Sequence, residues 1–283
     1  MKKTNFHTHS TYCDGKNTIE ENVISAIEKN IEVLGFSSHS FYPFSYEENM
    51  KAEKFPLYCE EIRTLQKKYE GKITLKVGFE ADYVSGITFP KFKNYEAFNP
   101  DFLIGSVHYV FNKDGIIPVD YSAESLKESL EKYYKGKEGQ FVLDYFEMEK
   151  EMLRCGDFTF VGHPDLVRKF NGKLCFFDEN ESWYKEAVKS LAREIARSGV
   201  AAEINTGGIT RAKMTSPYPN EYFLSLLHEY NVPIFINSDA HSSAQLDGAF
   251  DQAYEAARKA GYREIVCDVS DRHSFLFTPL DSN

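Results

Sequence analysis

Seven short apolar runs, at 3–7, 32–39, 74–80, 101–108, 158–163, 200–205 and 233–241, each reach a histidine or a carboxylate at or near their last residues. The first run is the most informative: it leads into Asn5-Phe6-His7-Thr8-His9-Ser10, with Asp14 and Gly15 close behind. Residues two apart on an extended chain face the same side. His7 and His9 therefore present two imidazoles to one point, and neutral imidazole is the commonest side-chain ligand for zinc, iron and manganese. A lone pair of this kind also occurs on plain surface strands. The later runs decide between the two readings. Of eight histidines, His7, His9, His39, His108, His163 and His241 fall at or just past a strand end, and only His228 and His273 do not. Glu80, Glu203 and Asp239 end strands as well. One polynuclear metal site explains all of these together, and its mixed nitrogen and oxygen donors suit zinc, iron or manganese.

Helix-patterned segments separate these runs. Residues 18–30 have Thr18 as a cap, Glu20 and Glu21 in the first turn, and Val23, Ile24 and Ile27 as an apolar stripe. Similar patterns cover 57–69 and 182–198. Alternating strands and helices predict parallel βαβ units. Seven such units without a Gly-rich nucleotide loop point to a barrel more than to an open sheet, and 283 residues suit one α/β barrel domain. In such barrels the active site lies at the C-terminal ends of the strands. We expect one domain over residues 1–283, interrupted by a loop-helical excursion at about 109–157. The excursion opens as a loop with a turn at Lys113-Asp114-Gly115 and carries helical patterns at 123–134 and 140–154. A last short strand is expected at 262–268, at the bottom or the edge.

Composition narrows the function. Net charge is −10, which argues against nucleic acid as the main partner, because phosphate backbones call for a basic stripe. It weighs less against a small anionic substrate, since bound metal ions reverse the local sign. No run approaches the length of a membrane helix and no apolar signal region opens the chain, so a cytoplasmic protein is expected. Five cysteines without CxxC spacing read as reduced thiols. None of Cys13, Cys59, Cys155, Cys175 and Cys267 has an arginine six residues on, as a cysteine-phosphatase loop requires. A DxDxT aspartyl-phosphate motif is also absent near the N-terminus.

The motifs His7-Thr8-His9-Ser10 with Asp14-Gly15, Ser38-His39, Gly78-Phe79-Glu80, Gly105-Ser106-Val107-His108, Gly162-His163-Pro164-Asp165-Leu166, Glu203-Ile204-Asn205-Thr206 and Ser238-Asp239-Ala240-His241 follow one another at strand ends. In kind and order they resemble the polymerase and histidinol phosphatase (PHP) family, and within it most closely the histidinol-phosphate phosphatases. The resemblance implies a distorted seven-stranded (β/α) barrel with a trinuclear metal centre. It implies that His7, His9, Glu80 and Asp239 hold one ion. Glu80 bridges to a second with His108 and His163, and His39 and His241 hold a third with Asp14. Some family members carry a histidine where this chain has Gly15. For Asp14 a plain turn role before Gly15 is the alternative. For Glu203 we expect a hydrogen bond that orients a ligand imidazole.

The implied activity is metal-dependent hydrolysis of a phosphate monoester, L-histidinol phosphate, by hydroxide attack on phosphorus. Glu80 would bridge the ions, and Asp14 or Asp239 is a candidate proton donor, with the acid left open. Related phosphoesterase activity on nucleotides or nucleic-acid 3′ ends, or an inactive metal-binding module, are the alternatives. Arg168 and Arg211 follow strand ends and are candidate phosphate contacts, since a planar guanidinium suits phosphate. Tyr42 and Phe44, with Phe41, Tyr109 and Phe111, form either an aromatic wall for an imidazole or plain loop packing. Asp120 is a candidate for the substrate ammonium.

Overall fold

The structure, a computed structural model, describes residues 1–41, 49–113 and 115–280. Among them, β1 (Thr4–Asn5), β2 (Val33–Phe36), β3 (Thr74–Asp82) and β4 (Phe102–Ser106) are followed by the hairpin strands β5 (Tyr109–Asn112) and β6 (Gly115–Pro118). Then come β7 (Phe160–Val161), β8 (Ala201–Asn205), β9 (Ile234–Asn237), β10 (Glu264–Asp271) and β11 (Ser274–Pro279). Seven strands form one parallel sheet in the order β1-β2-β3-β4-β7-β8-β9. The seam between its first and last strands closes only above them. There Thr8 bridges Ala240 in parallel, with His9 N donating to Ala240 O at 2.9 Å and Ala240 N to His7 O at 3.1 Å. The sheet is thus a nearly closed barrel, laced at the end where the histidines emerge.

Strand periodicity sets what faces inward. Phe102 and Ile104, Ala201, and Phe235 belong to one interior cluster with Phe6, Val33 and Phe160. The residues between them, Leu103, Ala202, Ile204, Ile234 and Ile236, pack into the larger cluster under the helices. Following the inward positions upward, Ala201 gives way to Glu203 and Asn205, Phe235 to Asn237, and Gly78 to Glu80 and Asp82. Apolar side chains fill the bottom and polar ones the mouth. Gly78 makes room for this plug: a Cβ there would lie 2.4 Å from the Phe102 ring.

The β10–β11 hairpin seals the lower end, with Val266 and Val269 inside the barrel cluster and Lys76 Nζ bound to Asp268 at 2.8 Å. The strand expected at 262–268 is therefore β10, longer than expected and paired antiparallel with β11. Outside, helix Ile19–Glu28 begins on the expected cap: Thr18 accepts from Glu21 N, and Glu21 closes the capping box. Helix Ser182–Ser198 buries Tyr184, Val188, Leu191, Ala192 and Ile195, an i, i+4, i+7, i+8, i+11 stripe. The excursion carries helices Ala123–Tyr133 and Glu138–Cys155, but its opening is the β5–β6 hairpin and not a loop. Helices Glu221–Glu229 and Phe250–Ala260 were not expected. No helix among the described residues is long and apolar enough to cross a membrane.

Candidate metal centre

His7 and His9 leave β1 on the same face, their ring centroids 5.3 Å apart. His7 Nε2 lies 3.1 Å from Glu80 Oε2, and His9 Nε2 lies 3.2 Å from Asp239 Oδ1. Glu80 comes from the upper half of β3 and is fully buried. Its two oxygens face different partners. Oε2 meets His7, His9 at 3.5 Å and His39 Nδ1 at 3.1 Å. Oε1 meets His163 Nε2 at 3.0 Å, His108 Nε2 at 3.5 Å and the Ser106 hydroxyl at 2.8 Å. Asp14 reaches His241 Nε2 at 2.9 Å and His9 Nδ1 at 3.4 Å.

Four groups among the described residues have ligand atoms close enough to share an ion: His9-Asp14-His39-His241, His7-His9-Asp239, His7-Glu80-His163 and His39-Glu80-His108. All nine residues expected as ligands fall within them. The grouping differs from the expected one: there are four groups in place of three, His9 joins Asp14 and His241, and Glu80 pairs His7 with His163 and His39 with His108 in separate groups. His39 stands between two groups, facing Glu80 and His108 as well as Asp14 and His241, because its strand neighbours the Glu80 strand.

These residues fit bound cations. His7 Nε2, His9 Nε2, His39 Nδ1 and Glu80 Oε2 are buried together without a hydrogen-bond partner. Each such group costs about 1–3 kcal/mol, and a shared cation removes the cost. Burial lowers the His7 pKa, but the carboxylates of Glu203, Glu80 and Asp239 outweigh it and push it up to about 10. Burial likewise opposes ionisation of Glu80, and the imidazoles of His7, His39 and His108 hold it well below the usual range. The carboxylate field thus draws positive charge to this point. His163 and Asp239 stand at φ 24° and 53°, a left-handed backbone that non-glycine residues adopt at a cost of order 1–3 kcal/mol.

A second ring of contacts fixes the imidazoles. Both Glu203 oxygens lie 3.1 Å from His7 Nδ1, the orienting role expected of it. Glu203 is held in turn by His163 N at 2.8 Å, Asn205 at 2.7 Å and Asn237 at 2.8 Å. Asp82 does the same for His108 Nδ1. Sequence reasoning missed Asp82, although it stands two residues past Glu80 on the same face of β3. Gly15 is also enforced: a Cβ there would sit 2.4 Å from Ser10 N, so the histidine of some relatives has no room on this backbone.

A cavity of about 210 Å³ opens over these groups. Arg211 lines it, bound to Asp239 and 3.1 Å from His241 Nε2. Arg168 does not line it, which corrects the expectation of a phosphate contact. It is 7 % exposed and tied to Glu179 at 2.8 Å, Asp165 at 3.2 Å and Ser216 at 3.2 Å. The short turn Leu166–Arg168 aims Leu166 and the next residue, Lys169, at the cavity and turns the guanidinium away. Lys169 was not foreseen. Asp120 lines the cavity, with one oxygen 3.0 Å from Lys169 Nζ. Among the described residues the tyrosines that line the cavity are Tyr109, Tyr121 and Tyr218, while Phe111 packs with Val84 and Phe41 is about half exposed. Tyr42 and Phe44 lie outside the described residues.

The sequence model of the PHP domain matches residues 5–207, from the strand before His7 through the Glu203 strand. The chain belongs to the PHP domain family. Asp239 and His241 lie beyond the matched part, and the barrel seam brings them back to His9. A probable histidinol-phosphatase of Deinococcus radiodurans is 28% identical to this PHP chain over 92% of it and 94% of the relative. A putative histidinol phosphatase structure from Listeria monocytogenes superposes with a TM-score of 0.77 at 22% identity, covering 88% of this chain and 99% of that one. The Lactococcus lactis histidinol phosphate phosphatase, solved with zinc, L-histidinol and phosphate, gives 0.68 at 20% identity over 97% and 98%. At these identities the two structures bear on the fold, which they share.

Proposed function

We propose that this PHP chain is a histidinol-phosphatase, a metal-dependent phosphomonoesterase that converts L-histidinol phosphate to L-histidinol and phosphate. The observation that carries the reading is Glu80, whose two buried oxygens each face a different set of imidazoles. That is the arrangement of a carboxylate shared between cations. Curated relatives of nearly full length named histidinol-phosphatase support the substrate. In this reading three divalent ions, zinc, manganese or iron, sit among the nine ligands. Bound ions of this kind supply hydroxide near neutral pH and neutralise phosphoryl oxygens.

The chain's own residues do the rest. Glu203 and Asp82 hold His7 and His108 by Nδ1, leaving Nε2 directed inward. Arg211 offers its guanidinium at the cavity for the phosphate. Asp120 faces the ammonium, and the tyrosine wall the imidazole. Asp239 accepts from Arg211, and Asp14 stands 2.9 Å from His241 Nε2, so both carboxylates place negative charge beside the imidazoles that would hold cations. One barrel unit carries the whole activity. All five cysteines are free, which fits a reducing cytoplasm, and the acidic chain fits a small-molecule partner in place of nucleic acid. The test is turnover of a phosphate-ester panel by purified protein with added zinc or manganese. Preferred cleavage of histidinol phosphate, abolished by chelation, is expected; equal activity after metal removal refutes the reading.

A further inference from the structure

Tyr218 carries a hydroxyl that no contact described so far employs. Its side chain is 2 % exposed and lines the cavity, and the hydroxyl is buried without a hydrogen-bond partner. The residue is firmly placed. Tyr218 N donates to Asn205 O at 2.9 Å and Asn205 N to Tyr218 O at 2.7 Å, which clips it to the exit of β8. Its ring passes so close to Gly208 that a Cβ there would approach it to 2.9 Å, and it stands edge-on to the His163 ring at 6.4 Å. A phenol is a strong donor that ionises only near pH 10. A rigid donor left unpartnered in the wall of a substrate cavity calls for an acceptor on the substrate.

The surroundings select which acceptor. After burial, the charges that act on this hydroxyl are those of Asp165, Asp120, Arg168 and Arg211. Two of these line the cavity: Arg211, assigned above to the phosphate, and Asp120, assigned to the ammonium. The hydroxyl shares the cavity wall with both ends, and the atom that joins the two ends of a phosphate monoester is its ester oxygen. The carboxylates nearest the phosphate end, Asp239 and Asp14, are already committed to Arg211, His9 and His241.

We propose that the Tyr218 hydroxyl donates a hydrogen bond to the ester oxygen of the bound monoester and stabilises the departing alcohol. As hydroxide forms its bond to phosphorus, the P–O ester bond breaks and its electron pair passes to the ester oxygen. The proton released when water became hydroxide returns through solvent to complete the alcohol. Tyr218 keeps its own proton throughout. The inference rests on the phosphatase reading, but only on its reaction class, not on histidinol as the substrate.

The test compares Tyr218→Phe with wild type on an alkyl series, including histidinol phosphate and a simple alkyl phosphate, and on p-nitrophenyl phosphate. An alkoxide needs the hydrogen bond far more than a nitrophenolate does. We expect kcat for alkyl esters to fall about tenfold to a hundredfold. The aryl ester should lose less than about threefold, because its leaving group gains little from a charge-assisted contact. Inorganic phosphate affinity by calorimetry and zinc content should not change. Melting of the ligand-free protein should stay level or rise, since the lost hydroxyl had no partner. Equal losses on both ester classes, weaker phosphate binding in parallel with them, or no loss on alkyl esters each overturn the assignment. If alkyl phosphates show the selective loss while wild type ignores histidinol phosphate, the Tyr218 role stands and the proposed substrate falls. Failure of wild type to cleave any monoester removes both.

Discussion

Glu80 and the two arginines show how differently single side chains are used here. Glu80 has no exposed surface and lies close to five histidines from four strand ends. Glu80→Gln keeps the shape but removes the charge, so we expect loss of bound metal and of nearly all turnover. Metal content by mass spectrometry and kcat check this; wild-type values for both exclude a shared ligand. Arg211 and Arg168 should separate cleanly. Arg211→Ala should lower kcat/KM for all phosphate monoesters about tenfold to a hundredfold, the worth of one charge-assisted contact. Arg168→Ala instead leaves Asp165, which is fully buried, without its cation, and should cost stability on the order of 3–5 kcal/mol. Denaturant midpoints and kinetics on both variants decide. The histidines that converge at the barrel mouth were legible in the sequence because the residue type is rare and its spacing repeats. Arg168 and Lys169 were not distinguishable, because one residue of rotation in a short turn decides which enters the cavity.

At the scale of elements, the helix Glu138–Cys155 holds a buried acid, Glu149, that accepts from the Tyr145 hydroxyl at 2.7 Å. Burial raises its pKa well above the ordinary value, more than the Tyr145 bond and the nearby His108 lower it. In the unfolded chain the same carboxyl ionises near pH 4.3. Above that pH the folded protein holds a proton that the unfolded chain has released, so stability falls as pH rises towards the folded pKa. Glu149→Gln keeps the acceptor and removes this slope. The variant should gain on wild type between pH 5 and 8, with the widest gap in denaturant midpoint at pH 8. A gap that does not change with pH refutes it. Of the elements, the long amphipathic helices and the strand cores could be read from periodicity. The β5–β6 hairpin could not, because Tyr109, Phe111 and Ile117 look alike in a packed loop and in a short ribbon. Helices Glu221–Glu229 and Phe250–Ala260 are about as long as the expected Ile19–Glu28 and Ala123–Tyr133, and the second starts after Ala249 without a side-chain cap to announce it.

At the scale of the whole molecule, the candidate ligands come from six of the seven barrel strands or the loops just past them, so cations bound at the mouth would tie the barrel together. A site filled a hundredfold above its Kd adds about 2.7 kcal/mol to stability. In a chain of this size that is roughly 5–10 °C of Tm. Chelation should lower Tm by at least this amount in a calorimeter, and readdition of zinc should restore it; an unchanged Tm would separate the metal centre from the fold. The barrel class was legible because every strand announced its end with the same chemistry. Its closure was not, because β1 is two residues long and pairs with the last strand's exit only through Thr8 and Ala240. That seam also sets a timetable for synthesis. His7 leaves the ribosome about 10–50 s before His241 at ordinary elongation rates. Throughout that interval the nascent chain lacks Asp239 and His241, so the groups His7-His9-Asp239 and His9-Asp14-His39-His241 cannot be completed. Completion of these two groups is therefore coupled to the moment the seam between Thr8 and Ala240 is laced.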